Sequence, residues 1–165
     1  MGVFIYACKL KERVSDLVKN EDEFDAIIKK YEDLDEEVMA IDHKYDPHAI
    51  PFVDGIYTYE GGDASVDMSY GGNGDFLDAL DDIAEEIDEC RPFDVTLDVH
   101  GIDWVVSYEF ATAMLEEFTK HEKVMKDYLI KRYGEDDGQF YCQCYDNYIK
   151  VIKECIEFKR VIRYH

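Results

Sequence analysis

Residues 56–70 read Ile-Tyr-Thr-Tyr-Glu-Gly-Gly-Asp-Ala-Ser-Val-Asp-Met-Ser-Tyr, and this stretch decides which fold class the chain can adopt. Two runs rich in aromatic and β-branched residues, 56–60 and 64–70, flank Gly61-Gly62-Asp63. A short glycine-rich segment between two such runs favours a β-hairpin. The stretch therefore predicts two antiparallel strands joined by a tight turn.

The chain before this stretch carries both extended and helical patterns. Asn20 and Glu23 stand at capping-box spacing ahead of an apolar period, which predicts a helix that begins near residue 21. Pro47 and Pro51 lie in a segment without any period, which predicts a loop. The predicted elements here are a strand over 1–10, a short helix over 9–20, a helix over about 21–40 and a loop over 42–54.

The chain after this stretch is mostly helical in pattern. Gly71-Gly72-Asn73-Gly74 predicts a turn, and an apolar stripe from Phe76 to Ile87 predicts a helix that Arg91-Pro92 ends. Gly134 is a natural helix stop. Residues 93–99 predict a strand. After Gly101 the pattern fits either further strand or the start of a long helix that runs to Tyr133. A final helix includes 145–158, although 140–145 could begin as a strand.

Together these elements predict a single α+β domain over residues 1–165, with a small antiparallel sheet and about four helices packed on one face. Apolar residues make up 47% of the chain, so its high charge does not indicate disorder. No run is long enough to span a membrane, and the apolar N-terminus is too short for a signal peptide. We therefore expect a cytoplasmic protein without membrane contact.

The cysteines favour a reducing compartment. There are five of them, an odd number, and they form no CxxC pair, which argues against a disulfide scaffold and against a zinc ribbon. Cys142 and Cys144 could join a metal site, but small buried hydrophobic residues are the preferred interpretation. The full set is Cys8, Cys90, Cys142, Cys144 and Cys155.

The charge of the chain is strongly polarised. The net charge is −21, and residues 45–119 hold 19 acidic side chains against one basic side chain, Arg91. Residues 1–44 are mildly acidic and residues 120–165 are mildly basic. Salt adaptation would reduce lysine over the whole surface, yet lysine (13) outnumbers arginine (5). The polarisation therefore favours a local partner over general halophilic solubility.

The centre of the acidic region is residues 78–89, Asp-Ala-Leu-Asp-Asp-Ile-Ala-Glu-Glu-Ile-Asp-Glu. Its carboxylates form like-charge pairs at i,i+4, each of which costs about 0.2–0.5 kcal/mol. Asp88 and Glu89 also oppose the helix dipole in the last turn. A solvated helix face is the simplest interpretation, but local stability does not explain these two residues.

A row of carboxylates can replace the phosphates that a basic protein groove normally binds. Direct binding of nucleic acid is not expected, because the acidic field repels phosphate. The leading hypothesis is a non-enzymatic inhibitor that uses a DNA-mimic surface against a nucleic-acid-binding protein, as phage anti-CRISPR and anti-restriction proteins do. Tyrosines suit such an interface, although they could simply line a sheet. The predicted partner-binding residues are Asp63, Asp67, Asp75, Asp78, Asp81, Asp82, Glu85, Glu86, Asp88, Glu89, Tyr57, Tyr59 and Tyr70.

Two alternative functions stay open. The first is an immunity protein that neutralises a nuclease toxin with the same electrostatics. The second is a small metal-dependent hydrolase centred on Asp98 and His100, with His43 and His48 as further candidate ligands. Asp98-Val99-His100-Gly101 is similar to the Asp-x-His-Gly element of calcineurin-like metallophosphoesterases, but the other elements of that family are missing, so we assign the match to chance. The preferred hypothesis includes no cofactor, no metal and no catalytic residue, and head-to-tail self-association would also use a polarised charge.

Overall fold

Residues 55–69 form one continuous strand inside a five-stranded antiparallel sheet. The structure is a computed structural model that describes residues 2–87, 92–98 and 104–165. The strands lie in the order β2-β3-β1-β5-β4. The fold is α+β, as the sequence predicted. Its elements are β1 (Gly2–Ser15), α1 (Glu21–Glu32), β2 (Glu37–Ile41), β3 (Gly55–Ser69), α2 (Tyr70–Glu86), α3 (Asp94–Asp98), β4 (Trp104–Ser107), α4 (Tyr108–Glu157) and β5 (Val161–Tyr164), with a 3-10 turn at Pro47–Ala49.

The predicted hairpin at Gly61-Gly62-Asp63 is wrong, because these residues form a bulge within β3. Pairing with β1 steps from Cys8↔Gly61 to Tyr6↔Ser65, so extra residues of β3 face β1 at this point. The carboxylate of Glu154, in α4, accepts hydrogen bonds from the backbone nitrogens of Asp63 (3.2 Å) and Ala64 (2.9 Å). Since a distant side chain satisfies these donors, the chain continues as a strand.

The predicted short helix over 9–20 is also wrong. Lys9 and Leu10 continue β1 and pair with Glu60 and Tyr59 of β3. The apolar residues of this segment are spaced as in a weakly amphipathic helix. The backbone hydrogen bonds that β1 forms with the long neighbouring strand β3 outweigh this preference. As a result β1 runs through the middle of the sheet, between β3 and β5.

Helix α1 begins as predicted but ends early. The Asn20 side chain accepts from the Glu23 nitrogen at 3.0 Å, and the Glu23 carboxylate accepts from the Lys19 nitrogen at 3.2 Å. The helix ends at Glu32, not at residue 40, and Asp35 takes a left-handed conformation with φ of 58°. Residues 37–41, including Val38, therefore form strand β2 at the edge of the sheet.

The long helix α4 folds back on itself at Gly134. Gly134 has φ of 82°, and a Cβ at Gly138 would lie 2.6 Å from the Ile130 Cα, which requires the chain to reverse between them. The Tyr145 hydroxyl donates to the Phe118 carbonyl at 2.7 Å across the two segments. We call 108–133 the first arm and 135–157 the second arm. The predicted stop at Gly134 and the predicted final helix are thus both confirmed, and 140–145 is helical.

Several smaller predictions are corrected. Gly71–Gly74, predicted as a turn that precedes the helix, lies within the first turns of α2, because the Ser69 hydroxyl caps the Gly72 nitrogen at 3.0 Å. Residues 94–98 of the predicted strand 93–99 form the short helix α3, and Val99 lies outside the described residues. The Phe93 nitrogen donates to Glu117 at 2.9 Å, which fixes the start of α3 on α4. Strand β5, four residues long, had not been predicted.

Two apolar clusters lie on opposite faces of the sheet. On one face, strand residues such as Ile5, Val66 and Ile162 pack with α2 and both arms of α4. On the other face a smaller cluster includes Cys8, Met39 and Val161, over which Ala49 and Phe52 of the predicted loop pack. Helix α2 therefore belongs to the helical layer that covers the first face of the sheet.

Candidate acidic binding surface

Helix α2 has an apolar side and an acidic side. Phe76, Leu80 and Ile83 are buried, and Phe76 stacks on Tyr148 with ring centroids 5.4 Å apart. Asp78, Glu85 and Glu86 are exposed on the other side of the same helix. We call Asp78, Glu85 and Glu86 the acidic row. None of the three forms a salt bridge among the described residues.

Asp82 differs from the acidic row because it is bound to α4. Its carboxylate accepts a hydrogen bond from the Tyr128 hydroxyl at 2.6 Å and pairs with Arg132. The hydrogen bond to Asp82 raises the pKa of Tyr128. The Arg132 guanidinium also lies over the ring of Tyr133, 5.3 Å from its centroid. Part of the charge at Asp82 is therefore neutralised within the chain.

Asp75 joins the N-terminal half of α2 to the turn of α4. Its carboxylate accepts from the Tyr141 hydroxyl at 3.2 Å, and its backbone carbonyl accepts from the Tyr133 hydroxyl at 2.7 Å. Burial, with a smaller contribution from Asp75, raises the pKa of Tyr141 to about 12. These contacts fix the position of α2, so its outward carboxylates are held on a rigid element.

The turn of α4 adds carboxylates that the sequence interpretation missed. Glu135, Asp136 and Asp137 follow Gly134 directly and are exposed. Asp75 and Asp137 both act on Tyr141 and raise its pKa, so the turn and the start of α2 adjoin. The net positive charge of residues 120–165 concealed this group, whereas three acids directly after a predicted helix stop could have revealed it.

Asp63 and Asp67 do not lie with the acidic row. Val66 and Met68 are buried against the helical layer, so Asp67 between them points to the opposite face of the sheet, where it pairs with the half-exposed Phe4. Asp63 is exposed in the bulge beside Glu154. The single surface that the sequence suggested is thus divided between two faces of the sheet.

The three predicted tyrosines are also separated. Tyr70 is 41% exposed and begins α2, beside the acidic surface. Ten residues of β3, at most about 33 Å of strand, separate Tyr59 from Ser69. Tyr59 is buried and its hydroxyl is bound by Glu37 and Arg163, and the Tyr57 hydroxyl donates to the Val53 carbonyl at 2.7 Å. Without the hairpin, Tyr57 and Tyr59 are not near the acidic helix.

Some predicted residues fall outside the described part of the chain, namely Asp88, Glu89, Cys90, Arg91 and His100. Asp81 is half-buried on α2 between the two sides of the helix. For the binding surface, the described members that the structure brings together are therefore Asp75, Asp78, Asp81, Asp82, Glu85, Glu86 and Tyr70.

The candidate metal ligands are only partly brought together. His48 Nε2 lies 3.6 Å from Asp98 Oδ2, and the His48 ring meets Phe110 edge-on at 4.8 Å between centroids. His43 Nδ1 lies 2.9 Å from Asp54 instead. Within residues 2–87, 92–98 and 104–165, no three His, Cys, Asp or Glu side chains cluster as metal ligands would.

The cysteines that the structure describes fit the preferred interpretation. Cys8, Cys144 and Cys155 are buried, and burial raises the pKa of Cys144 to about 11 and that of Cys8 to about 12. Cys142 is half-buried, with its sulfur 3.7 Å from the Lys126 carbonyl. A raised pKa keeps a thiol protonated, which makes it a poor nucleophile and a poor metal ligand.

Among the described residues, the helices are too short or too polar for any of them to cross a membrane. Comparison of the chain with protein-family models, with curated proteins and with solved structures finds no match.

Proposed function

We propose that this protein is a non-enzymatic inhibitor whose acidic row occupies the basic groove of a nucleic-acid-binding protein. The single observation that carries the proposal is the two-sided character of α2, which is anchored through Asp75 and Asp82 while Asp78, Glu85 and Glu86 stay exposed. No lysine or arginine occurs in α2, so nothing on the helix itself neutralises this row.

The spacing of the row suits a partner built for phosphates. Asp78 and Glu85 lie two helical turns apart, about 10–11 Å along the axis. Asp82 stands between them, so neighbouring carboxylates on this part of α2 are at i,i+4 and i,i+3, about 5–6 Å apart, which is comparable to the separation of neighbouring phosphates along one strand. A fixed helix presents these charges without a backbone-ordering cost at binding, which favours affinity. Glu135–Asp137 of the α4 turn would extend the acidic surface beyond the N-terminal end of α2.

The expected mechanism is occlusion. Lysines and arginines that hold DNA or RNA in the target would pair with the carboxylates, and the nucleic acid would be excluded from the groove. Because a negatively charged surface attracts a positively charged groove over a distance, association should be fast. Salt screens this attraction, so the affinity should fall as salt is added. Restriction endonucleases, CRISPR effector proteins and nuclease toxins all present such grooves. If the target is a nuclease toxin, the same occlusion makes this chain an immunity protein.

A displacement experiment tests the proposal. A fluorescent DNA duplex is bound to one member of each of these three target classes, and its anisotropy is followed as the protein is added. We expect displacement from at least one target, weakened about tenfold or more in the variant Asp78→Asn/Glu85→Gln/Glu86→Gln. The matched control is Glu21→Gln/Glu32→Gln/Asp33→Asn around α1, which removes the same charge.

Two outcomes would contradict the proposal. The first is that the protein displaces DNA from no target in the panel. The second is that the variant in the acidic row and the α1 control displace DNA equally well while both retain the native circular dichroism spectrum.

A further inference from the structure

Strand β3 is paired on both sides over only part of its length. Strand β2 pairs with residues 55–59 of β3, whereas β3 continues to Ser69. Within residues 2–87, 92–98 and 104–165, β1 is the only strand that pairs with β3 beyond Tyr59. The side of β3 that faces away from β1 therefore lacks a neighbouring strand there. We call residues 65–69, which follow the bulge, the open edge.

The hydrogen bonds of β1 determine which backbone groups of the open edge point inward. Phe4 and His165 exchange two backbone hydrogen bonds of 2.8 Å, so the backbone groups of Phe4 point to β5. These groups alternate in direction along a strand, so those of the next residue, Ile5, point to β3. Ile5 pairs with Val66, whose backbone N–H and C=O are thus used within the sheet.

The residues on either side of Val66 direct their backbone groups away from β1. These residues are Ser65 and Asp67, and both are exposed. In the part of the chain that the structure describes, no hydrogen bond reaches the backbone nitrogen or oxygen of either residue from that side. The open edge therefore presents alternating N–H donors and C=O acceptors to which an extended peptide can pair.

The charge beside the open edge selects the kind of peptide. Strand β3 has no lysine or arginine, and the side chains of Asp63 and Asp67 are exposed. Neither aspartate forms a salt bridge among the described residues. Opposite charges directly across two strands stabilise the pair by about 0.2–1 kcal/mol, whereas like charges destabilise it. A basic strand is therefore favoured.

The same charge disfavours a second copy of this chain at the open edge. Pairing of β3 with β3 of another copy would place two acidic edges side by side. Each copy also carries a net charge of −21, which opposes self-association. Acidic side chains beside an unpaired edge are a common protection against such pairing, and they leave the edge accessible to a strand of opposite charge.

We propose that the open edge of β3 binds an extended basic segment of a partner protein, which adds one strand to the sheet. The segment lies in line with β2, beyond Tyr59, and its backbone pairs with Ser65 and Asp67. A lysine or arginine of the segment lies beside the Asp67 carboxylate. This interaction does not involve the acidic row of α2, so it is a second binding surface, separate from the proposed occlusion.

The probe is a fluorescein-labelled peptide of alternating lysine and valine, seven residues long, and its binding is followed by anisotropy in about 0.3 M salt. Two derivatives keep its charge, one methylated on the backbone nitrogens of the lysines and the other on those of the valines. The N–H groups of an added strand point alternately to the sheet and to solvent. Only one derivative therefore loses its hydrogen bonds to β3, whereas attraction by charge alone does not distinguish the two.

We expect saturable binding of the unmodified peptide and of one methylated derivative, with the affinity of the other derivative lower by about tenfold or more. Amide hydrogen exchange gives a second measurement. The backbone amides of Ser65 and Asp67 should exchange quickly in the free chain and about tenfold or more slowly when the peptide is bound. The Val66 amide, which is bonded within the sheet, should exchange slowly in both.

Variants of the chain locate the peptide. Asp67→Lys should weaken binding about tenfold, whereas Asp25→Lys, an equal change of charge at an exposed position of α1, should have little effect. Ser65→Pro removes an outward N–H, which an edge strand tolerates, and should abolish binding while the fold is retained. If Ser65→Pro does not fold, the two methylated peptides on the native chain decide. The acidic-row variant of the displacement experiment should bind the peptide as the native chain does, so the two proposals fail separately.

Four results would overturn the proposal. Absence of saturable peptide binding removes the site. Equal affinity of the two methylated derivatives shows that the peptide does not pair with a strand edge. Equal affinity of Asp67→Lys and Asp25→Lys places the peptide elsewhere. A native chain that forms a dimer in analytical ultracentrifugation, and that Ser65→Pro makes monomeric, identifies a second copy as the occupant.

Discussion

The carboxylate of Asp82 accepts a hydrogen bond from the Tyr128 hydroxyl at 2.6 Å, which fastens the acidic helix α2 to the first arm of α4. Asp78, one turn earlier, has no such partner among the described contacts and is exposed. The two carboxylates were equivalent in the sequence, yet one holds the helix in place and the other is available to a partner.

This difference predicts opposite effects of the same substitution. Asp82→Asn weakens the bonds to Tyr128 and Arg132 and should lower the free energy of unfolding by about 1 kcal/mol. Asp78→Asn removes like-charge repulsion with Asp82 and should raise it by about 0.2–0.5 kcal/mol at low salt. Urea denaturation of the two variants at low salt measures both changes. A loss of stability in both would argue against the division of roles.

Glu154 should be the most sensitive acidic residue for folding. It satisfies the backbone donors of Asp63 and Ala64 in the bulge and pairs with Arg160, and its side chain is 12% exposed. Glu154→Ala leaves the half-buried Ala64 nitrogen and the Arg160 guanidinium without their partner, which should cost about 2 kcal/mol. The exposed Glu157 is the control, since Glu157→Ala should change stability by less than about 0.5 kcal/mol. Thermal or urea unfolding that gives the two variants similar stability would contradict the bulge arrangement.

Asp46 gives the folded chain a defined pH dependence. Burial raises the pKa of Asp46 from 3.8 to about 6. Between these two pH values the folded protein keeps a proton on Asp46 that the unfolded chain has lost. The stability from this group is therefore present below about pH 4 and is lost as pH rises through 6. Asp46→Asn keeps an acceptor for the Val105 nitrogen and does not titrate.

The measurement is the stability of Asp46→Asn relative to the native chain at several pH values. The difference should move in favour of the variant between pH 4 and pH 7, by up to about 3 kcal/mol. Other carboxylates cancel in this comparison because both proteins carry them. A difference that does not change with pH would contradict a buried, raised-pKa Asp46.

The reversal of α4 makes a prediction about two helical glycines. A Cβ at Gly138 would lie 2.6 Å from the Ile130 Cα and 2.9 Å from the Leu129 carbonyl oxygen, so Gly138→Ala should force the arms apart and cost about 1–3 kcal/mol. Gly74 in α2 has no atom within 4 Å of the same position, so Gly74→Ala should stabilise by about 0.5–1 kcal/mol. Calorimetric melting temperatures that fall equally for both would contradict a tight hairpin.

The parts of the fold that the sequence predicted are those set by local contacts. The Asn20 cap, the Gly134 stop and the apolar stripe of α2 depend on residues within a few positions of each other. The Gly61–Gly62 bulge depends on Glu154, which is 90 residues from Ala64, and its glycines resemble a turn until that contact is known. Likewise β5 is four residues long, too short for a periodic signal.

The same limit applies to the candidate surface. The acidity of α2 was evident from composition, but the assignment of Asp82 and Asp75 to structural roles depends on tyrosines of α4. Glu135–Asp137 join the acidic surface because α4 reverses at Gly134. Asp67 and Tyr59 are separated from it because β3 is one continuous strand. Each of these is a long-range relationship that residue spacing alone does not encode.

The most direct measurement of the proposed occlusion is the salt dependence of affinity for a DNA-binding protein from which the chain displaces DNA. The native chain and the Glu21→Gln/Glu32→Gln/Asp33→Asn control should show the same steep fall of log affinity with log salt concentration. Asp78→Asn/Glu85→Gln/Glu86→Gln should bind more weakly and with a clearly shallower slope, because three of the interacting charges are gone. Equal slopes for all three proteins would show that the exposed carboxylates of α2 do not contact the target.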